Sequence, residues 1–244
     1  MMDADDFYGT WVARIGLLFL DAPYRAGMLE KSGREKLTVD LAVFDCMTFV
    51  ETVLALAACA YSERLTYPQL QKNVRRIRYR DGKMDGYSTR LHYFTDWLRN
   101  NEKKKVLKDK TRGLGGDKIR KKIDFMTAHR DHYAALKSEK EFKKMRQIEL
   151  RLSRKTFFVI QKDFVGALKT KVQNGDLVAF TTDEEGLDVA HVGFAVRQGK
   201  SLRLLHASIR EKAVVVSTQT LPAYLKSRRK FTGVIIARPL IVAA

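Results

Sequence analysis

The spacing of hydrophobic residues along the chain changes once, near residue 174. Before that point they recur every three or four residues, which is typical of helices; after it they alternate with polar residues, which is typical of strands. The pattern predicts helices over 7–20, 46–61, 64–100 in two pieces, 139–152 and 161–170, and strands over 177–180, 189–197, 201–208, 213–217 and 231–238. Helices followed by a mostly antiparallel sheet of about five strands indicate an α+β fold.

The helix predicted over 46–61 has hydrophobic residues on every face, so we expect it to run through the core. Asp45 directly precedes it and is typical of an N-cap, because its carboxylate can accept N–H bonds from the first turn. Cys46 then takes the first helical position, where free amides and the helix dipole favour a thiolate. A cysteine there is either a nucleophile or a structural residue, and a partner base would distinguish the two.

Two histidines, His191 and His206, lie on consecutive predicted strands joined by Gln198-Gly199. A two-residue hairpin loop at that dipeptide sets the histidines directly opposite each other on one face of the sheet. Gly193, on the same face, leaves open space beside the imidazole. A thiol, an imidazole base and a third polar group that orients the base are the parts of a nucleophilic amide hydrolase. The sequence therefore predicts Cys46, His191 and His206 as catalytic residues, with the helix start against the face that carries the histidines.

The balance of charges suggests an anionic partner. The chain has 244 residues and a formal net charge of +18. This balance fits nucleic acid, an acidic membrane surface or a polyanionic polymer, and it also fits a merely solvated basic surface. No nucleic-acid-binding motif is present and the basic residues are not interleaved with aromatics, so we expect no specific nucleic acid. Loose attraction to anionic envelope polymers is the expectation that we keep.

Other features narrow the class of protein. Cys46 and Cys59 lie on one predicted helix about 20 Å apart, too far for a disulfide. His129 and His132 are close in sequence but have no third ligand of matching spacing, so we predict surface residues and no metal or cofactor. No stretch reaches the roughly 18 apolar residues of a membrane span. The acidic start predicts a cytoplasmic protein if the chain is complete, or one of the bacterial envelope or periplasm if a signal peptide was removed.

Several segments resemble, in order, the motifs of NlpC-type papain-like cell-wall peptidases. They are 22–27, Asp45-Cys46, 175–180, His191-Val192-Gly193 and 205–208. The segments 44–50, 85–94 and 114–116 resemble more closely the branch described as N-acetylmuramoyl-L-alanine amidase-like. The resemblance covers most of the chain, from about residue 11 to residue 239.

The resemblance implies one papain-like NlpC-type domain over 1–244, with its core in 7–62 and 171–240 and an enlarged helical insertion over about 63–170. It implies hydrolysis of the amide that joins N-acetylmuramic acid to L-alanine in peptidoglycan fragments, without metal. In that reaction Cys46 is the nucleophile, His191 the base and His206 the orienting residue. We expect a monomer.

The resemblance and the 85–94 segment also indicate substrate-binding residues. These are Tyr24, Asp45, Asp85, Tyr87 and His92. Tyr24 and Asp45 match positions that hold the substrate near the scissile bond, and we expect 85–94 to shape the pocket for the sugar or the peptide. A core histidine is the simpler interpretation of His92, which we place on an apolar helix face.

Alternative functions use the same residues. Met47 and Thr48 stand where the wider superfamily usually has serine and glycine, which argues against an unchanged endopeptidase specificity. A stem-peptide endopeptidase or an acyltransferase would nevertheless need the same cysteine and histidine. A pseudoenzyme that only binds muropeptides would need neither, and a basic nucleic-acid-binding protein is the alternative from another class.

Overall fold

The structure is a computed structural model that describes residues 4–30, 33–168 and 170–241. Its helices are α1 (Ala4–Leu17), α2 (Cys46–Tyr61), α3 (Tyr67–Arg78), α4 (Phe94–Lys103), α5 (Phe125–Ala128), α6 (Glu139–Ser153) and α7 (Leu221–Lys226). Its strands are β1 (Leu107–Asp109), β2 (Asp117–Arg120), β3 (Thr156–Gln161), β4 (Leu177–Thr182), β5 (Val189–Gln198), β6 (Ser201–Ser208), β7 (Ala213–Val216) and β8 (Phe231–Pro239). The predicted α+β class is confirmed.

The strands form one antiparallel sheet of eight strands in the order β2-β3-β8-β4-β5-β6-β7, with β1 also paired to β8. The prediction of about five strands was wrong, because β1, β2 and β3 come from the region 63–170 that was expected to be helical. β1 and β2 contain three and four residues. Strands that short show too little alternation to be recognised in a sequence.

Helices cover both faces of the sheet. On one face, α1 and α2 form a hydrophobic core with alternate residues of the central strands, among them Val192, Phe194 and Leu205. On the other face, α7 packs against the residues between them, including Phe180 and Leu204. Successive side chains of a strand point to opposite faces, so alternate residues of β5 and β6 belong to the two different cores.

The helix α2 is buried along most of its length, as its uniform hydrophobicity predicts. It also carries a charge into the core: Glu51 pairs with Arg78 of α3 at 2.6 Å, and Trp97 of α4 donates to the same carboxylate at 3.1 Å. Breaking such a buried pair typically costs several kcal/mol because one charge is left uncompensated. The pair therefore fastens α2 to the region 63–170.

Two predicted helices differ from the structure. The second piece of the helix predicted within 64–100 begins only at Phe94, so that His92 lies in the segment before α4 and not on a helix face. The helix predicted over 161–170 is a 3₁₀ helix, Lys162–Leu168. Within the described ranges, no helix is both long enough and apolar enough to cross a membrane.

Candidate active site

The start of α2 is fixed by a reciprocal cap. Oδ1 of Asp45 accepts the N–H of Thr48 at 2.8 Å, and Oγ1 of Thr48 accepts the N–H of Asp45 at 2.9 Å. This capping box satisfies donors that a helix start would otherwise leave free, and it sets Cys46 at the first helical position as predicted. Thr48 thus has a structural role at the cap.

Cys46 is half-buried, and its neighbours Asp45 and Met47 line a cleft. Burial raises the pKa of the thiol to about 12 and the charge of Asp45 adds to the rise, whereas the backbone N–H groups of Val192, Met47 and Cys46 itself lower it. The helix start was expected to favour a thiolate. In the structure burial outweighs the amides, so the resting group near neutral pH is the thiol.

Cys46 reaches β5 where this strand stops pairing with β6. The paired ladder ends at Phe194 and Leu205. The N–H of Ala195 bonds to the backbone oxygen of Asp176, next to β4, so the alternating pattern directs the N–H of Val192 towards β6. That N–H lies beyond the paired ladder, and it lowers the pKa of the Cys46 thiol because it faces the sulfur. The gap between the two strands is therefore the place where the tip of α2 meets the sheet.

His191 and His206 are neighbours, as predicted. Nε2 of His191 lies 2.7 Å from Nδ1 of His206, so one nitrogen carries the proton and the other accepts it. The predicted register was wrong, however: Gln198 pairs with Ser201, which makes the hairpin loop Gly199-Lys200. The error is two residues, and a shift of two keeps a side chain on its face. The histidines consequently meet diagonally and not directly across the strands.

Gly193 makes the diagonal contact possible. A Cβ atom at this position would lie 2.7 Å from the backbone oxygen of Leu205 and 2.8 Å from Cβ of His206. The space beside the imidazole was expected to be open, but His206 and its strand fill it. Glycine is needed here because β5 and β6 approach each other closely.

We expect Gly193→Ala to displace His206, to break its hydrogen bond with His191 and to destabilise the fold by about 1–3 kcal/mol, since the added methyl group meets backbone. Turnover should fall at least about tenfold, as loss of a positioned base typically costs more than that. Thermal unfolding and an activity assay measure the two effects. Gly166→Ala is the control, because nothing lies within 4 Å of its Cβ. Full activity in Gly193→Ala would contradict this account.

The histidine pair faces α7. The His191 ring lies 6.0 Å from Phe180 and the His206 ring 5.3 Å from Tyr224, measured between centroids. The body of α2 packs on the opposite face of the sheet, against Val192 and Phe194 of the strand that carries His191. The start of α2 was expected against the histidine face; in the structure Cys46 lies beside the backbone N–H of Val192.

Both histidines are neutral in this environment. Burial and, to a smaller extent, the nearby guanidinium of Arg228 together lower the pKa of His191 to about 4. Burial, His191 and Arg228 likewise hold the pKa of His206 well below its usual range. Arg228 itself lies 4.7 Å from the centre of the Tyr224 ring. Arg228 and Tyr224 could not be found from the sequence, since a short helix followed by a half-buried arginine carries no recognisable signal.

A cleft of about 150 Å³ lies beside Cys46, and it is lined by Asp45, Met47, Arg90 and His92, among others. It includes two of the predicted substrate-binding residues, Asp45 and His92. Burial lowers the pKa of His92 well below its usual value, so this ring too is neutral.

The other three predicted substrate-binding residues lie elsewhere. Tyr24 is close to the thiol: burial first, then the charges of Cys46 and Asp45, raise its pKa to about 12. Tyr87 is buried, and its hydroxyl donates to Glu30 at 2.7 Å. Asp85 is exposed and does not line the cleft. Tyr87 thus supports the wall of the cleft without forming its surface.

Arg90, which the sequence analysis did not single out, holds that wall. Its guanidinium bonds Glu30 at 2.7 Å and the backbone oxygen of Leu29 at 2.9 Å. These bonds join the loop before α2 to the segment 85–94, so both segments shape the cleft. Within 85–94, the backbone oxygen of Tyr87 lies 2.9 Å from Nε2 of His92.

A second cleft, of about 330 Å³, lies on the far side of His206. Its lining is polar and includes Arg210, Glu211, Gln219 and Arg228. In the part of the chain that the structure describes, no three histidine, cysteine or acidic residues converge as a metal site would require. His129 and His132 are exposed, as predicted.

One family model and several solved structures match the chain. Residues 14–234 match the AmiA-like family, described as N-acetylmuramoyl-L-alanine amidase-like. A crystal structure of an N-acetylmuramoyl-L-alanine amidase from Bacteroides uniformis ATCC 8492 is 37% identical, covers 96% of this chain and 99% of its own, and superposes with a TM-score of 0.91. A putative xylanase from Bacteroides fragilis is 39% identical, with coverages of 93% and 99% and a TM-score of 0.87.

A Legionella pneumophila protein that is 22% identical shares the fold, with a TM-score of 0.70 and coverages of 96% and 89%. No curated protein matches the chain. The family match extends over most of the chain and includes the capped cysteine, the histidine pair and the segment 85–94. The chain therefore belongs to the AmiA-like, N-acetylmuramoyl-L-alanine amidase-like family.

Proposed function

We propose that the protein is a cysteine amidase that hydrolyses the bond between N-acetylmuramic acid and L-alanine in peptidoglycan fragments, within one papain-like domain. The observation that carries the proposal is the position of the Cys46 sulfur. It lies beside the N–H of Val192, the residue that follows His191, and His191 is in turn hydrogen-bonded to His206. The family description supplies the class of substrate.

The hydrogen bond between the histidines assigns the proton. Nε2 of His191 is occupied by His206, so Nδ1 is the nitrogen that remains for the thiol. A base must be unprotonated at the atom that it uses, which puts the ring proton on Nε2, where it donates to Nδ1 of His206. His206 therefore fixes the tautomer of His191 without touching the substrate.

The reaction then proceeds in two halves. Nδ1 of His191 takes the proton of Cys46 as the sulfur attacks the lactyl carbonyl of the muramic acid, and the imidazolium returns it to the departing amine of L-alanine. A thioester of the sugar's lactyl group is left on the enzyme. His191 next takes a proton from water as its oxygen attacks the thioester, and the imidazolium returns that proton to the departing sulfur, which leaves the sugar acid and the free thiol. The N–H groups of Val192 and Met47 face the sulfur and stabilise the charge that develops on it.

Two clefts offer room for the substrate, one lined by Asp45 and Met47 and the other by His206. We propose that Asp45 and His92 contact the substrate in the smaller cleft and that Tyr24 contacts it beside the thiol. Asp85 and Tyr87 would affect substrate binding only indirectly, through the segment 85–94 that supports the wall of the smaller cleft. The 330 Å³ cleft beside His206 is the larger and more polar of the two.

Mass spectrometry of products from defined muropeptides tests the proposed function. We expect a free sugar acid and a peptide that begins with L-alanine, and no product from Cys46→Ala. A cut inside the stem peptide with the sugar still attached would identify an endopeptidase. A product in which an added amine replaces water would identify an acyltransferase. Either result would refute the amidase assignment.

The pKa of His191, the proposed base, predicts where activity is lost at low pH, the acid limb of the pH profile. Only neutral His191 can accept a proton, so kcat/KM should fall as the pH drops through the lowered pKa of about 4 and stay level through neutral pH. Arg228→Gln removes a charge that lowers the pKa of both histidines, and the limb should therefore move to higher pH. Arg210→Gln, an exposed arginine in the same cleft, is the matched control. An acid limb that Arg228→Gln leaves in place would exclude His191 as the titrating base.

A further inference from the structure

A cleft of about 390 Å³ lies at the end of α2 opposite Cys46. Ala58 and Ser62 of the helix end line it, and at 1.5 Å per residue they lie about 20 Å from the thiol. The remaining wall comes largely from α3. No step of the proposed reaction uses this cleft, so its lining needs a separate explanation.

The lining is rich in unpaired positive charge. Arg64, Lys72 and Arg75 are exposed in the cleft, and among the described residues none has a carboxylate within 4.0 Å. Asp81, the acidic residue of the lining, lies 3.5 Å from Lys103 and accepts a bond from Asn100 at 3.2 Å. Three cations therefore converge on a concave surface without a neutralising partner, which differs from the diffuse attraction predicted from net charge alone.

The floor of the cleft is held rigid. The guanidinium of Arg76 donates to the backbone oxygen of Lys104 at 2.7 Å, and the Lys104 ammonium bonds the backbone oxygens of Arg76 and Tyr79. Asn73 donates to the backbone oxygen of Ala55 at 3.2 Å. Because these groups are already fixed, a ligand would need to order only the exposed side chains above them.

The carbonyl groups at the negative end of the α2 helix dipole are shielded from the cleft by hydrogen bonds. The N–H of Ser62 and its hydroxyl both donate to the carbonyl of Ala58, at 3.2 Å and 2.9 Å. The N–H of Arg64 donates to the carbonyl of Cys59 at 3.0 Å. Since the terminal carbonyls are satisfied in this way, the helix end opposes an anion only weakly.

We propose that this cleft binds a phosphate group, either a phosphate monoester on a small sugar or a phosphodiester of an anionic polymer, at a site separate from the reaction. Arginine presents a planar fork of N–H donors that matches phosphate oxygens, and Arg64 and Arg75 both line the cleft. The volume fits one compact group and not a long strand. Lys72 adds a third charge for a ligand that carries more than one.

Calorimetry at fixed ionic strength tests the proposal with inorganic phosphate, glycerol 3-phosphate, poly(glycerol phosphate) and polyglutamate as probes. The variant is the triple substitution Arg64→Gln, Lys72→Gln and Arg75→Gln. The matched control removes three exposed charges from α6 by Lys140→Gln, Lys143→Gln and Arg146→Gln. We expect the cleft variant to weaken binding of the phosphate probes by about tenfold or more, because each lost bond is charge-assisted. The control should change it less than about twofold.

The probes distinguish the source of the phosphate. Binding of glycerol 3-phosphate supports a small phosphorylated ligand, and binding of the polymer alone supports a phosphodiester chain. Equal binding of polyglutamate, equal loss in both triple variants, or no binding of any phosphate probe would overturn the proposal. Cys46→Ala should bind the probes as the unaltered protein does, so failure of the proposed amidase function would not affect this result.

Discussion

Cys46→Ala is expected to abolish hydrolysis, with a loss on the order of 10⁴-fold or more, as removal of a nucleophile from a catalytic unit usually produces. The fold should survive, since the residue is half-buried at a helix tip whose cap is formed by Asp45 and Thr48. Circular dichroism and thermal unfolding establish that the variant is folded, and release of free peptide from a muropeptide measures its activity.

Cys59→Ala is the matched control, because the same chemical change is made on the same helix. Cys59 is fully buried and accepts a bond from Asn73 at 3.2 Å. Its loss should cost about 1 kcal/mol of stability through a small cavity and a weak hydrogen bond, and leave turnover intact. If Cys59→Ala is the inactive variant, or if an iodoacetamide probe labels Cys59 before Cys46, the nucleophile has been misassigned.

The two histidines are expected to respond unequally to substitution. His191→Asn should be as inactive as Cys46→Ala, because His191 moves a proton in each half of the reaction and the residues act as one unit. His206→Ala should be badly impaired, on the order of a hundredfold, since it leaves the Nε2–H of His191 without an acceptor in a buried site. His206→Gln or His206→Asn should keep measurable activity, because an amide oxygen can accept that N–H.

The order of activities among these variants, measured with the same muropeptide, decides the roles. His206→Gln above His206→Ala, with His191→Asn inactive, is the pattern that an orienting residue predicts. Turnover in His191→Asn together with none in His206→Asn would reverse the two roles. If all the histidine variants keep full turnover, the pair takes no part in catalysis.

The candidate residues could be predicted because each depends on local patterns. A capping aspartate, a helix apolar on every face and an alternating strand pair can all be recognised over a few residues, and they point to Cys46, His191 and His206. The hairpin loop could not be placed, since Gln198-Gly199 and Gly199-Lys200 both suit a two-residue turn. The shared face of the two histidines was still predicted correctly, because side chains alternate with a period of two and the register error was two residues.

Features that depend on distant parts of the chain could not be predicted. The pKa of Cys46 is set by how deeply the sheet and the helices enclose the sulfur, and nothing in its own neighbourhood of sequence reports that enclosure. Arg228 acts on the site from a segment that carries no motif, and Arg90 acts through Glu30 and Leu29, which are distant in the sequence. The short strands β1 and β2 exist because longer strands offer them partners, so tertiary pairing and not local preference determines them.

The position of β8 in the sheet bears on how the chain folds as it is synthesised. This strand pairs with β1, β3 and β4, so residues 231–239 hold together segments that leave the ribosome much earlier. A nascent chain that already contains Cys46, His191 and His206 lacks the strand on which β4, the neighbour of β5, is anchored. Contacts so distant in sequence form late and slowly. We therefore expect a ribosome-bound chain arrested before residue 231 to be inactive and sensitive to protease, and release of the full chain to bring both resistance and activity.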